Sequence, residues 1–346
     1  MRYSRVYLEA FGYELAPEVV LSEDLEDMLE PLYKRWHIKP GQLESWTGIR
    51  ERRFWDPGQS MHEPAARAGK KALEKAGISP NDIEMLIYGG VCRDNLEPAT
   101  SCAVADGLGL PSHTQIFDVS NACLGVLTGM LQVANAIELG QIQTGMVVSC
   151  ESSRQIVEST IERMLKSEDM GILRPSLATL TGGSGAIAVI LTNEKRAKEG
   201  HRFLGGVLRN AVEHHGLCRW GPDTGIPASG PLVMETDAPG VLKHGVKLGI
   251  ETFDAFRRTL ELSPEQPDKV ICHQVGSAHQ EQILKSLNIS VEKDFTTFEY
   301  LGNMGTVALP LTAAVADERG FLQSGDMVGF LGIGSGLNCM MLGLEW

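Results

Sequence analysis

Three stretches of this sequence occur twice, in the same order, and that repetition restricts the fold more than any other feature. Ala72-Leu-Glu-Lys-Ala-Gly-Ile-Ser-Pro80, followed by Asp82-Ile-Glu-Met-Leu-Ile87, is echoed by Thr259-Leu-Glu-Leu-Ser-Pro264 and Asp268-Lys-Val-Ile271. Gly140 to Val148 is echoed by Gly320 to Val328, and the glycine-rich strand Gly182 to Val189 by Gly332 to Cys339. One such match would be chance, whereas three in one order predict a duplicated unit. Helix-like segments alternate with short apolar β-branched runs along the whole chain, which is the pattern of an α/β protein with buried sheets. A polar cluster, Glu194, Lys195, Arg196, Lys198 and Glu199, interrupts the strands near the middle. We therefore expect an N-terminal half over 1–197 and a C-terminal half over 198–346.

The 346 residues exceed an ordinary single domain and suit two fused halves. With 43% hydrophobic and 22% charged residues the chain reads as globular and independently folding. No apolar run is long enough to span a bilayer, and Met1-Arg2-Tyr3 leads into no secretory segment, so we expect no transmembrane segment and a cytoplasmic location. A net charge of -13 repels polyanions and argues against nucleic-acid binding. Lys243, Lys247, Arg257 and Arg258 are interspersed with Glu251 and Asp254 and read as a solvated helix face. The seven cysteines lack CxxC spacing, so neither a disulfide framework nor a metal site is expected.

Among those cysteines Cys123 stands apart. Asp118-Val-Ser-Asn-Ala-Cys123 ends a short extended run, and Leu124 to Leu139 then reads as an apolar helix closed by Gly140. A thiol at a helix start faces backbone N–H groups and the positive end of the helix dipole, which lower its pKa and favour a nucleophilic thiolate. The residues alone equally allow a buried, inert cysteine. Three further features accompany it: His273 in His-Gln-Val-Gly276, Asn303 in Gly302-Asn-Met-Gly305, and the turn Gly332-Ile-Gly-Ser-Gly336. Singly they read as a core histidine, a turn residue and a tight loop.

Together, Cys123, His273 and Asn303 resemble the Cys-His-Asn triad of ketoacyl-ACP synthase III and its relatives in the thiolase superfamily. Thr47-Gly-Ile-Arg-Glu-Arg52 is similar to the signature of the same family. The resemblance covers essentially the whole chain and implies a five-layered αβαβα thiolase fold, normally a homodimer. It also implies roles. Cys123 takes an acyl group from a thioester. The backbone N–H groups of Cys123 and Ser335, the latter between Gly334 and Gly336, hold the oxyanion. His273 and Asn303 donate to the carbonyl of the second thioester as it becomes an enolate. Coenzyme A thioesters are then substrates, and no cofactor is required.

Glu97, in the loop Cys92 to Thr100, resembles in placement the glutamate of OleA-type long-chain thiolases, which reaches across the dimer into the partner's site. Without the resemblance it reads as a solvated loop carboxylate. With it, the expected reaction is non-decarboxylative Claisen condensation of two long-chain fatty acyl-CoAs to a β-keto acid, with Glu97 as the base of the other subunit. That product would feed long-chain olefin or ketone synthesis, and downstream hydrocarbon-pathway enzymes would be partners. The alternative is a decarboxylative ketoacyl-ACP synthase III using malonyl-ACP or malonyl-CoA, for which Glu97 is dispensable. A hydroxymethylglutaryl-CoA synthase-like role, a non-catalytic acyl-binding subunit and a cysteine hydrolase are weaker readings.

Two departures bear on this choice. His-Gln-Val-Gly276 replaces the family's His-Gln-Ala-Asn, and Gln42 and Trp46 stand roughly where a Trp and an Arg clasp the adenine of coenzyme A. Arg174 is the remaining candidate for its phosphates. The stretch from Ile156 to Leu180, with Met164, Met170 and Leu177, reads either as an acyl-channel wall or as a core helix and dimer contact.

Overall fold

Two largely apolar helices, Gly125–Glu138 and Ala308–Glu318, run through the middle of the molecule. Most residues of each are buried, so most of their surface must be covered, and sheets supply that cover. The computed structural model describes residues 1–198, 200–222 and 232–346. Glu199, part of the polar cluster taken as the boundary, lies outside the described residues.

In chain order the described strands are β1 (Val6–Leu15), β2 (Glu18–Leu21), β3 (Glu51–Phe54), β4 (Met85–Gly89), β5 (Gln115–Val119), β6 (Thr144–Glu151) and β7 (Gly185–Asn193). The second part of the chain adds β8 (His201–Asn210), β9 (Cys218–Pro222), β10 (Leu232–Thr236), β11 (Lys269–Cys272), β12 (Met327–Gly334) and β13 (Asn338–Glu345). Nine of them share one hydrogen-bonded order, β11-β12-β13-β8-β1-β7-β6-β4-β5. The others form two ribbons, β2 with β3 and β9 with β10.

The long order is two copies of one motif joined at the centre. In the first copy β4 runs parallel to β6, β6 antiparallel to β7, and β7 antiparallel to β1. In the second, β11 is parallel to β12, β12 antiparallel to β13, and β13 antiparallel to β8. The copies meet where Tyr7 pairs with Arg202 and Leu8 with His201. The repeated sequences fall on equivalent strands, the first pair on β4 and β11 and the second on β6 and β12. The third differs in detail: Gly182 to Ser184 precede β7, whereas Gly332 and Gly334 still belong to β12 and only the residues from Asn338 enter β13.

Helices His62–Ala76 and Thr100–Leu108 cover the outer face of the first copy, and Ala238–Leu260 with Ser277–Leu287 cover the second. The two apolar helices fill the space between, giving five layers, α, β, α, β, α. The start of helix Gly125–Glu138 lies on the end of β4. A Cβ on Gly125 would come within 2.8 Å of the Gly89 carbonyl oxygen, so only glycine permits this approach. Buried Thr306 accepts the Val126 N–H at 2.8 Å and satisfies a donor of the first turn. Thr306→Val strands that donor in the core and should cost about 1–3 kcal/mol, read by denaturant unfolding. An unchanged midpoint would show that the bond contributes nothing.

Candidate active site

β5 delivers the chain to a sharp turn before the central helix. Ala122, the residue ahead of the nucleophile candidate, has a φ of 45°, a left-handed conformation that costs a non-glycine residue about 1–3 kcal/mol and clusters at functional sites. The turn is tied to the opposite end of the chain. Asn121 donates to Thr128 Oγ1 at 3.0 Å and accepts from Asn338 Nδ2 at 3.0 Å. A Cβ on Gly334 would sit 3.3 Å from the Cys123 nitrogen, so the end of β12 lies directly against the Cys123 backbone. Cys123, Ser335 and Asn303 line one cavity of about 260 Å³.

The side chain of Asn303 is oriented by its own loop. Its Oδ1 accepts the Gly305 N–H at 3.0 Å, which leaves the amide NH₂ as the free donor. Its backbone bridges Gly182, with the Gly183 N–H donating to the Asn303 carbonyl at 2.9 Å. Arg52, from the Thr47–Arg52 signature, backs this arrangement. Fully buried, it donates to Ser22 Oγ and to the Leu180 carbonyl and so fixes the end of helix Leu173–Leu180.

The thiol of Cys123 departs from the expectation of a lowered pKa. Burial, with Cys218 and the Glu151 carboxylate adding to it, pushes it up to about 12. The backbone N–H of Cys123 itself opposes this rise, but three other helix-start donors are already committed. The N–H groups of Leu124, Gly125 and Val126 go to Asn121 O, Ala122 O and Thr306 Oγ1.

His273 follows β11 and is buried, with its N–H donating to the Leu331 carbonyl at 3.0 Å. His273 lines a void of about 20 Å³ with His279, Gly332 and Ile333. Burial and neighbouring His279 lower its pKa to about 3, which favours the neutral ring. Nδ1 has no hydrogen-bond partner among the described residues.

Glu97 and Arg174 are both exposed, and neither lines the cavity of its own chain. Arg174 does lie on helix Leu173–Leu180, whose Ala178 and Thr179 face the cavity. The stretch 156–180 contributes both to the core and to the cavity lining. Met164 is core, while Ile156 lines the cavity.

The sequence reading missed Glu151, Cys218, Trp220 and Met234, all of which line this cavity. Trp220 and Met234 face each other on the ribbon of β9 and β10 and carried no periodic signal. Glu151 did carry one, a carboxylate closing the otherwise uncharged strand β6. It is buried, and burial raises its pKa to about 7 against the N–H groups of Val91 and Cys92 and the charge of Arg93. Among the described residues no cluster of three or more histidine, cysteine or acidic side chains is arranged to hold a metal.

Comparison with known proteins agrees with this geometry. Residues 57–193 match the thiolase N-terminal domain, and 258–346 match the C-terminal domain of 3-oxoacyl-[acyl-carrier-protein] synthase III. The acyl-CoA:acyl-CoA alkyltransferase of Shewanella oneidensis is 51% identical, over 100% of both chains. The chain belongs to the OleA family of thiolase-fold condensing enzymes. A cysteine-to-alanine variant of Xanthomonas campestris OleA superposes with a TM-score of 0.94 at 35% identity, covering 100% of this chain and 98% of that one. A cysteine-to-serine variant, solved with lauric acid and lauroyl-CoA, has a TM-score of 0.92 at 35% identity, covering 99% and 100%. Membership in the OleA family makes the chain an acyltransferase of the condensing type.

Proposed function

We propose that this protein joins two long-chain fatty acyl-CoAs, without decarboxylation, through an acyl group carried on Cys123. The single observation that carries the site assignment is the seating of the Gly334–Ser335 turn against the Cys123 backbone in a cavity shared with Asn303. Cys123 Sγ attacks the first thioester carbonyl, with the backbone N–H groups of Cys123 and Ser335 as oxyanion donors. The carbon–sulfur bond to coenzyme A breaks, and the thiol proton leaves with the departing thiolate. Because the thiol lies so high, that proton moves as the bond forms.

The second acyl-CoA then loses an α-proton to the partner subunit's Glu97, while Asn303 and His273 hold the developing enolate oxygen. The enolate carbon attacks the acyl-Cys123 carbonyl, the new carbon–carbon bond forms, and Cys123 is released. Hydrolysis of the remaining thioester gives the β-keto acid, which enzymes of hydrocarbon synthesis would consume. Gly334 and Gly336 flank the oxyanion donor and keep it unobstructed, and Arg174 is our candidate for the coenzyme A phosphates.

A homodimer supplies the missing carboxylate. Strand β5 ends the sheet with its outer backbone edge unpaired among the described residues, and Leu96, beside Glu97, is 72% exposed. The boundary between the duplicated halves we place at 197/198, and we assign the enzyme to the cytoplasm, where its seven free cysteines stay reduced. Among the described residues no helix is long and apolar enough to cross a membrane.

Myristoyl-CoA alone should yield free coenzyme A and a β-keto product that decays to a ketone, read by gas chromatography with mass detection. A strict requirement for a malonyl donor would favour the decarboxylative reading instead. Release of free fatty acid alone would make the protein a hydrolase.

A further inference from the structure

Among the described residues Glu151 is the one charged side chain lining the Cys123 cavity, and the proposed condensation gives it no task. Its carboxylate is spent on backbone. It accepts the Val91 N–H at 2.8 Å and the Cys92 N–H at 3.1 Å, the first residues of the segment that carries Glu97. Around it the same stretch is stitched down further. Tyr88 Oη donates to the Cys92 carbonyl at 2.7 Å, and the Ser152 N–H donates to Cys92 Sγ at 3.4 Å.

Beyond Cys92 a second anchor holds the segment. The Asp94 carboxylate accepts from the backbone of Met61 at 2.6 Å and His62 at 3.2 Å, and Asp118 accepts from Thr100 and Ser101, both at 2.9 Å. Between the anchors, Asn95, Leu96, Glu97 and Pro98 are exposed. The segment is therefore a short arch whose tip bears Glu97. Of its anchoring carboxylates, only Glu151 also faces the chain's own acyl cavity.

We propose that Glu151 is a positioning residue for the neighbouring site: from inside its own chain's cavity it holds the arch 91–99 so that Glu97 meets the substrate of the partner subunit. The inference rests on the reading that Glu97 acts across the dimer. A carboxylate kept in so dry a place, where its charge is costly, is retained for the two N–H groups it fixes. Its effect on catalysis is then felt in trans, at the other cysteine.

Mixed dimers, co-expressed with two affinity tags, separate the two directions. In the first, a Cys123→Ala chain pairs with a Glu151→Gln chain. The only nucleophile lies beside Gln, and the arch that serves it is intact. Condensation per nucleophile from myristoyl-CoA should stay within about twofold of a Cys123→Ala/wild-type dimer. In the second, a chain carrying both substitutions pairs with a wild-type chain. Acylation of Cys123 should proceed normally while condensation falls at least about tenfold.

The reverse pattern would make Glu151 a partner of its own Cys123 and overturn the proposal. Equal loss, or no loss, in both dimers would overturn it too. Activity of the first dimer shows in itself that the Glu151→Gln chain folds. Should that chain fail to assemble, Glu151→Asp, which keeps the charge and shortens its reach, is placed in the same two dimers. The same dimers built with Glu97→Gln test the parent reading separately. If that substitution acts in cis, the cross-dimer assignment of Glu97 fails, whatever Glu151 does.

Discussion

Cys123→Ala protein will fold, bind acyl-CoA and form no condensed product, with turnover reduced by on the order of 10⁴-fold or more. Removing a covalent nucleophile abolishes the intermediate that divides the reaction into two steps. The substitution takes away one half-buried sulfur, so the unfolding midpoint should move by only a few degrees, about 1 kcal/mol of packing. The test is stringent because the cavity holds a second thiol. Cys218 lines the same space, but it sits on a ribbon strand with its Sγ against Thr236 Oγ1 at 3.3 Å. Only Cys123 has the Gly334–Ser335 turn against its backbone nitrogen. Peptide mapping after acyl-CoA treatment should find the adduct on Cys123. An adduct on Cys218, or product from the Cys123→Ala enzyme, would refute the assignment.

Much of this architecture could be read from the residues, and what escaped has physical reasons. The duplication was legible because both copies need the same turns and strand pairings, and two of its three echoes lie on matching strands. The location of Cys123 was legible because a cysteine between an extended run and an apolar helix has one natural place. Its protonation was not. The argument from the helix start assumes free donors, and here Asn121, Ala122 and Thr306 have taken them, across 180 positions of sequence in the last case.

His273 and Asn303 were paired by pattern; Asn303 lines the cavity that also holds Cys123, and His273 lines a smaller void. Glu151 escaped for another reason. Its significance lies in which N–H groups it meets, and those belong to a loop 60 positions earlier. Long-range hydrogen bonds of this kind leave no period and no composition in a single sequence.

Glu97→Gln should separate the two half-reactions more sharply than any other change. Glutamine keeps the size and polarity of the side chain, and Glu97 is exposed in an arch held by other residues, so folding and dimer formation should be unaffected. Loading of Cys123 uses the thiol, the oxyanion donors and the first acyl-CoA, none of which involves Glu97. The variant should thus release a burst of coenzyme A matching the number of cysteines and accumulate acyl-enzyme visible by intact mass. Carbon–carbon bond formation is a different matter, since an α-proton beside a thioester must go to a base. Loss of a positioned general base slows such a step by about 10²–10⁴-fold. Among the described residues the only carboxylate in the chain's own cavity is Glu151, and both of its oxygens already serve backbone N–H groups, so it is a poor substitute. Wild-type condensation by Glu97→Gln protein, or loss of acylation together with condensation, would remove proton abstraction by Glu97 from the mechanism. A malonyl donor restoring the variant's rate would show that decarboxylation can supply the enolate the missing base no longer makes.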